Sequence, residues 1–465
     1  MEKKRLFAAL FAVPLVLAGC GNGESLKSSD IKPDGEGYVL SEHESLADGS
    51  VSGSEWSGAS DSTFDDMSFL EPPAVKEGSS ESEVMPVEPE KIGFVPSIEP
   101  AAGLLTAGEW CDNQNWGFLV NLVQTGCFDF RTFGIVPYQR VVVHVTSAGN
   151  PVKQAKTVLY DMDGNEITKG VTDYSGTAYL YYNIFSTVSE RTEASYVTVE
   201  DGSGQSVTAE LSDIEKKPVI IEPNQNDGQD QDRANSINTE ETLLLQTEEI
   251  FVELTDDKTL PKQLDVMFVF DTTGSMGDEL MYLQKEFVDI ANQVADQSTR
   301  FSVNFYRDQG DDYIVNSNEF ITDISAVSAV INDQYASGGG DYEEAVDLAL
   351  KDAVFNHSWR DEAVKLIFLI LDAPPHDTIE TADNLKEAVQ YASEQGIRII
   401  PIASSGVDKK TEAFLRSIAM ITGGTYTFLT DDSGIGESHL EPTIGSYTVE
   451  ALNDLIVRLI KQYYK

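Results

Sequence analysis

From Leu264 to the C-terminus the chain alternates between short apolar runs and amphipathic stretches. Leu264-Asp-Val-Met-Phe-Val-Phe-Asp271 is rich in Val and Phe, the pattern of a strand buried on both faces. It ends in small oxygen-bearing residues, and the stretch from about Glu279 to Gln297 then predicts a helix. The alternation continues with a strand over Arg300–Tyr306, a short edge strand at Tyr313-Ile-Val and a helix over Asp323–Asn332. An amphipathic helix over Glu343–Val354 precedes an apolar strand over Leu366–Leu371. A helix over Ala382–Gln395 is stopped by Gly396, and Ile397–Ala403 reads as the next strand. A helix over Thr411–Ile421, a strand from Gly424 and a closing helix over Val449–Lys461 complete the series. Strands interleaved with helices predict an α/β, doubly wound (Rossmann-like), mostly parallel sheet, with ligands outside the carboxyl ends of its strands.

Upstream the period changes to two. Between Tyr138 and about Ile220, strand-like segments such as Arg140-Val-Val-Val-His-Val alternate with turn signals, including the hairpin signal Asp163-Gly164. This predicts a small all-β sandwich. Leu104 to Phe133 is crowded with Trp110, Trp116, Phe118, Phe128, Phe130 and Phe133, and must pack on a folded neighbour. The expected organisation is therefore a multidomain chain: a targeting segment over 1–20, an acidic tether lacking a core over 21–100, the aromatic segment with the β-sandwich over 104–221, an acidic linker over 222–245, and the α/β domain over 246–465.

The formal net charge is −46, from 32 Lys+Arg against 78 Asp+Glu in 465 residues. Phosphate backbones would repel such a chain, which excludes nucleic acid as the expected partner. At the N-terminus Lys3, Lys4 and Arg5 precede the apolar stretch Leu6–Leu17, which is too short to span a bilayer stably. The ending Leu17-Ala-Gly-Cys20 resembles a bacterial lipobox, in which the cysteine is diacylated and becomes the mature N-terminus. That resemblance implies an N-terminal lipid anchor at Cys20 and a bacterial cell-envelope location facing outside the cytoplasm. Outside the cytoplasm, Cys111 and Cys127 form a candidate disulfide, worth about 3 kcal/mol in the chain-entropy account, with two buried free thiols as the alternative.

The candidate chemistry lies after the Leu264 strand. Asp271, Thr273 and Ser275 alternate at i, i+2 and i+4, so a carboxylate and two hydroxyls can converge on one point above the strand. All-oxygen, weakly charged donors suit a hard divalent cation. The alternative is that a hydroxyl merely caps the next helix, with Asp271 near its positive end. Asp271-Thr-Thr273-Gly-Ser275-Met resembles the first loop of a von Willebrand factor A domain, the Asp-x-Ser/Thr-x-Ser pattern of a metal-ion-dependent adhesion site. Gly338-Gly-Gly-Asp341-Tyr-Glu-Glu344 resembles the second loop of one subgroup, and Leu366-Ile-Phe-Leu-Ile-Leu-Asp372-Ala-Pro-Pro-His376 its fourth strand and third metal loop. The β-stretch Gly-Asn-Pro-Val followed by Thr-Asp-x-x-Gly-Thr-Ala resembles carboxypeptidase-regulatory-like and bacterial Ig-like spacer modules.

The resemblance implies that Thr273 and Ser275 bind a cation directly and that Asp271 and Asp372 do so directly or through water. The expected ion is Mg²⁺, with Mn²⁺ or Ca²⁺ as alternatives. In the second loop, where many relatives carry a Thr ligand, this chain has glycines and then Asp341; whether Asp341 or a water substitutes there is open, and so is a helix-capping role for Asp341. His376 is expected to be a hydrogen-bond partner rather than a zinc ligand. The implied function is recognition, not bond-making: an extracellular or envelope protein or polymer supplies an acidic residue that completes the metal shell. No nucleophile elbow, His-Glu-x-x-His or P-loop is present in the sequence. A structural envelope scaffold is the alternative, and a metal-dependent hydrolase a minor one.

Overall fold

The computed structural model describes residues 105–185, 191–200, 204, 206–211, 245–255, 262–433 and 439–464. These all belong to one of the two compact units into which the chain divides. Cys20, the tether and residues 222–244 of the expected linker lie outside the described residues.

In chain order, β1 (Thr106–Trp110) and α1 (Trp116–Gln124) are followed by β2 (Gln139–Ser147), β3 (Asn150–Pro151), β4 (Lys156–Tyr160), β5 (Glu166–Val171), β6 (Thr177–Tyr181), β7 (Tyr196–Glu200), β8 (Ser206–Glu210) and β9 (Gln246–Leu254). Strands β2 to β9 make two four-stranded sheets: β3-β2-β6 with β9 on the free side of β2, and β5-β4-β7-β8. Alternate residues of the longer strands, among them Val141, Val143 and Val145 of β2, Leu159 of β4 and Val197 and Val199 of β7, share one apolar cluster. The Asp-Gly signal sits in the turn closing the β4–β5 hairpin, where the Asp161 carboxylate accepts the Asp163 and Asn165 amides.

The second half contributes β10 (Leu264–Asp271), α2 (Gly277–Val294), β11 (Thr299–Tyr306), β12 (Val315–Asn316), α3 (Ile324–Asn332), α4 (Val346–Phe355), β13 (Val364–Leu371), α5 (Ile379–Gln395), β14 (Ile397–Ala403), α6 (Lys409–Thr422), β15 (Tyr426–Thr430), β16 (Glu450–Ala451) and α7 (Leu452–Tyr464). The sheet order is β12-β11-β10-β13-β14-β15-β1-β16. Strands β11, β10, β13, β14 and β15 run parallel, and β12 and β1 pair antiparallel to their neighbours. Every residue of β10 is buried, because helices cover both faces. Val266, Phe268 and Phe270 pack with Leu283 and Phe287 of α2 and Leu459 of α7, whereas Met267 and Val269 pack with Leu350 of α4, Val389 of α5 and Phe414 of α6. Gly396 ends α5 at φ +66°, the left-handed conformation that the sequence required there.

The expected boundaries fail strand by strand. β1, assigned by sequence to the sandwich half, pairs with β15 from Thr106↔Thr430 to Trp110↔Tyr426 and extends the α/β sheet. The aromatic segment packs on α6, with the Phe133 and Phe414 rings edge to face at 5.3 Å. Conversely, β9, expected to open the α/β domain, runs parallel to β2 along its whole length. Its alternation of Ile250 and Val252 with Glu249 and Glu253 suits a strand covered on one face. The α/β unit is thus discontinuous in sequence, and β2 to β9 lie between its first strand and β10.

The β-rich part meets the α/β unit at the end opposite the carboxyl ends of the parallel strands. Arg398, near the start of β14, donates to the Val171 carbonyl (3.3 Å), and Tyr174 accepts from Gln462 near the end of α7 (2.6 Å). Arg140 stacks on Trp116 (3.9 Å to the ring centre) and donates to the Asn113 side chain (2.8 Å).

The candidate disulfide is not formed: Cys111 is a free thiol. The reason is spacing. The Cys111 carbonyl accepts the Gln114 and Asn115 amides at the start of α1, while the Cys127 amide bonds the Leu122 carbonyl at its far end. A helix of nine residues separates them, about 13 Å of rise, against a Cα separation of about 7 Å at most for a bridge. Burial pushes the Cys111 thiol up to about 12, which disfavours the reactive thiolate.

Candidate metal centre

Strand β10 ends on Asp271, whose side chain is wholly buried. Its Oδ1 accepts the Thr273 amide at 2.8 Å and the Thr273 hydroxyl at 2.7 Å. The Thr273 hydroxyl thereby spends its proton on Asp271 and keeps its lone pairs. Asp271 Oδ2 is buried and makes no well-formed hydrogen bond, although the Tyr306 hydroxyl lies close enough to favour its ionised form. Ser275 follows in a single 3₁₀ turn and is exposed. Neither hydroxyl caps α2: the capping position is Met276, and no side-chain bond is made there. The helix-capping alternative therefore fails, and the loop's oxygens are left for another use.

Parallel pairing sets β13 beside β10, so Asp372 emerges next to Asp271. Asp372 is buried, with the Gly406 loop packed against it. Burial first and the charge of Asp372 second push the Asp271 carboxyl up to about 7. His376 bonds Asp308 (2.7 Å), the structural pairing expected of it.

The second loop behaves differently from expectation. Gly338 and Gly339 take φ values of +84° and +73°. The Gly338 carbonyl accepts the Gly274 amide (3.2 Å), which pins this loop to the first, and the Gly339 amide donates to Asp311 (3.0 Å) in the loop between β11 and β12. Asp341 is exposed and does not cap α4, whose capping residue is Ala345. The buried acid of this loop is Glu344, only 3% exposed, with Oε2 lacking a partner. Its backbone amide donates to the Pro374 carbonyl of the third loop (2.9 Å). Burial, then the charges of Asp271, Asp308 and Asp372, push it up to about 9.

Glu279, in the first turn of α2, is also buried, meets the Ser405 hydroxyl at 3.2 Å, and is pushed up to about 7, mainly by burial. Sequence reasoning missed both glutamates. An acidic residue in a first helical turn reads as a partner for the helix dipole, although Glu344 was visible inside the quoted Gly-Gly-Gly-Asp-x-x-Glu motif. Tyr342 closes one wall, donating to the Gly406 carbonyl (2.9 Å) and accepting the Asp408 amide (3.1 Å).

The three loops and the start of α2 border a cleft of about 430 Å³. Asp278, Glu279, Asp341, Glu344 and Asp372 are in its wall, with Ser275 and Ser405 and no lysine or arginine. Among the described residues no three His, Cys, Asp or Glu side chains converge closely enough to hold a metal ion by themselves. The donor set that fits is mixed: two carboxylates and two hydroxyls, with water making up the number, as hard cations accept. The orphaned Asp271 Oδ2 beside a second carboxylate is the specific feature that a cation would satisfy.

Residues 265–439 match the von Willebrand factor type A domain, and the chain contains a domain of that type. Such a domain supports a ligand-binding or adhesion-type role, typically through protein–protein interaction. The chain is similar to an ariadne-like RING finger protein of Acanthamoeba polyphaga mimivirus, 27% identical over 218 residues, which are 42% of this chain and 20% of that protein. It thus spans about a fifth of that relative's length. Among solved structures it is similar to proximal thread matrix protein 1 from the mussel byssus, with 18% identity, a TM-score of 0.28, and coverage of 35% of this chain and 41% of that one.

Proposed function

We propose that this protein is a lipid-anchored bacterial envelope protein whose von Willebrand factor A domain binds a divalent cation and, through it, an acidic group on a protein or polymer outside the cytoplasm. The observation that carries the reading is the buried Asp271 Oδ2, left without a well-formed hydrogen bond one strand away from Asp372, which itself lines an acidic cleft together with the exposed Ser275. Asp271, Thr273, Ser275 and Asp372 would hold the ion. Bound Mg²⁺ would supply an electrophilic position open to a partner's carboxylate.

The β-rich part, which we read as a sandwich of the carboxypeptidase-regulatory-like or Ig-like kind, serves as a spacer. Its contacts with Arg398 and Gln462 lie at the opposite end of the sheet and leave the cleft open. The reading is of a recognition module rather than an enzyme. Glu279 and Glu344 carry raised proton affinities, as a general base does, but burial first, and then the charge of Asp372 on both and of Asp271 and Asp308 on Glu344, account for them. A cation in the cleft would offset the part of the shift that comes from the neighbouring carboxylates.

The test is calorimetric titration of Mg²⁺, Mn²⁺ and Ca²⁺ into the full chain beside Asp271→Ala and Ser275→Ala. One saturable site, lost in both variants, is expected. Binding undiminished in both would sink the assignment and move the cation to the acidic segments.

A further inference from the structure

Resting on the cation reading above, we propose that Glu344 fills the second-loop position of the cation's shell, as the acceptor for a water ligand of the ion. Three observations lead there. First, the loop has no other candidate in place: Gly338, Gly339 and Gly340 have no side chains, and Asp341 is exposed at the rim. Second, Glu344 is buried in the cleft wall with Oε2 unpartnered, so a donor is missing from its surroundings. Third, the loop is shaped around this carboxyl. A Cβ on Gly339 would lie 2.9 Å from Glu344 Oε1 and 3.3 Å from the Thr273 Cβ. The left-handed glycine thus lets the glutamate approach the first loop.

A water is placed between ion and glutamate because, among the described residues, no three acidic or imidazole groups form a ready-made metal site, so Glu344 is not added to Asp271 and Asp372 as a third direct carboxylate. Mg²⁺ holds on to several of its waters, and carboxylates beyond the first shell orient them. Glu344 is therefore a positioning residue. It substitutes for a ligating hydroxyl by adding negative charge one atom further out.

The experiment is calorimetric binding of Mg²⁺ and Mn²⁺ to the full chain, its Glu344→Gln, Asp341→Asn and Asp271→Ala variants, with melting of each in EDTA and in Mg²⁺. Glu344→Gln should weaken Mg²⁺ binding about tenfold or more. In EDTA it should melt at or above the parent, because one buried carboxylate is removed from a crowd of them, while its Mg²⁺-induced gain shrinks. A purely structural glutamate would instead lower melting in EDTA and leave the gain unchanged, which overturns the inference. So does a loss of affinity in Asp341→Asn with none in Glu344→Gln. Binding lost in Asp271→Ala but intact in Glu344→Gln overturns the role of Glu344 alone. Failure of the parent to bind either ion overturns the cation reading and this inference together.

Discussion

Arg416 and Asp112 form a two-pronged ion pair in the protein interior, with Nε and a terminal guanidinium nitrogen 2.8 and 2.6 Å from the two carboxylate oxygens. Both side chains are buried, and 304 residues of sequence separate them. The pair fastens the turn after β1 to α6, so the first strand of the α/β unit is held by its penultimate helix. Trp110 donates to the same carboxylate (3.0 Å), and Glu412 shares the guanidinium (3.1 Å).

Removing one partner of such a pair strands a buried charge. Asp112→Ala should therefore cost about 3 kcal/mol, the lower part of the usual range because Glu412 remains. Urea denaturation reads this directly. An unchanged midpoint would mean that β1 is not part of the α/β sheet in solution.

The parallel core and the first and third loops were legible because their signals are local. An apolar run followed by Asp271, Thr273 and Ser275 states both the strand and what stands at its end, and Asp372 repeats the arrangement one strand over. The exchange of β1 and β9 was not legible. Thr106-Ala-Gly-Glu-Trp110 has no strong period, and only its pairing with β15 and β16 defines it. β9 has a clear period of two, but nothing local says that its partner is β2 across the linker. Glu344 stood inside the quoted second-loop motif, but its burial was not legible: an acid buried beside other acids is a property of three loops meeting, and no single loop displays it.

Gly339→Ala tests the fit between the first two loops. The added methyl would meet Glu344 and Thr273 while the backbone sits at φ +73°, where L-residues are strained. A stability loss of about 1–2 kcal/mol is expected, with Mg²⁺ affinity reduced by about tenfold because Thr273 is displaced. Titration of the folded variant decides; full affinity would show that the glycine serves the turn and not the site.

The anchor is tested on the living cell. Cys20→Ala should abolish incorporation of labelled palmitate and shift the protein from the membrane fraction to the soluble one. Retention of the variant on membranes, with label still absent, would mean that a protein partner and not a lipid holds it. The cysteine is expected to be needed for location alone, so the purified variant should bind Mg²⁺ like the parent.

The acidic cleft predicts a distinctive dependence of stability on pH. In the unfolded chain the carboxyls of Asp271, Glu279 and Glu344 ionise at about pH 4. In the folded, metal-free chain Asp271 and Glu279 hold their protons to about 7, and Glu344 to about 9. Between these limits the folded state binds more protons than the unfolded one, so stability falls as pH rises. The contribution is complete below about pH 4 and is lost as pH climbs through 7 and then 9. A cation favours the ionised forms and should oppose the loss. Melting in EDTA should thus decline from about pH 5 to about pH 9, and the gain from Mg²⁺ should grow over the same range. Asp271→Asn and Glu344→Gln each remove one titrating group, so each should flatten the decline in EDTA. A flat profile for the parent in EDTA would mean that these carboxyls are hydrated in solution, and the electrostatic case for a cation in the cleft would fall with it.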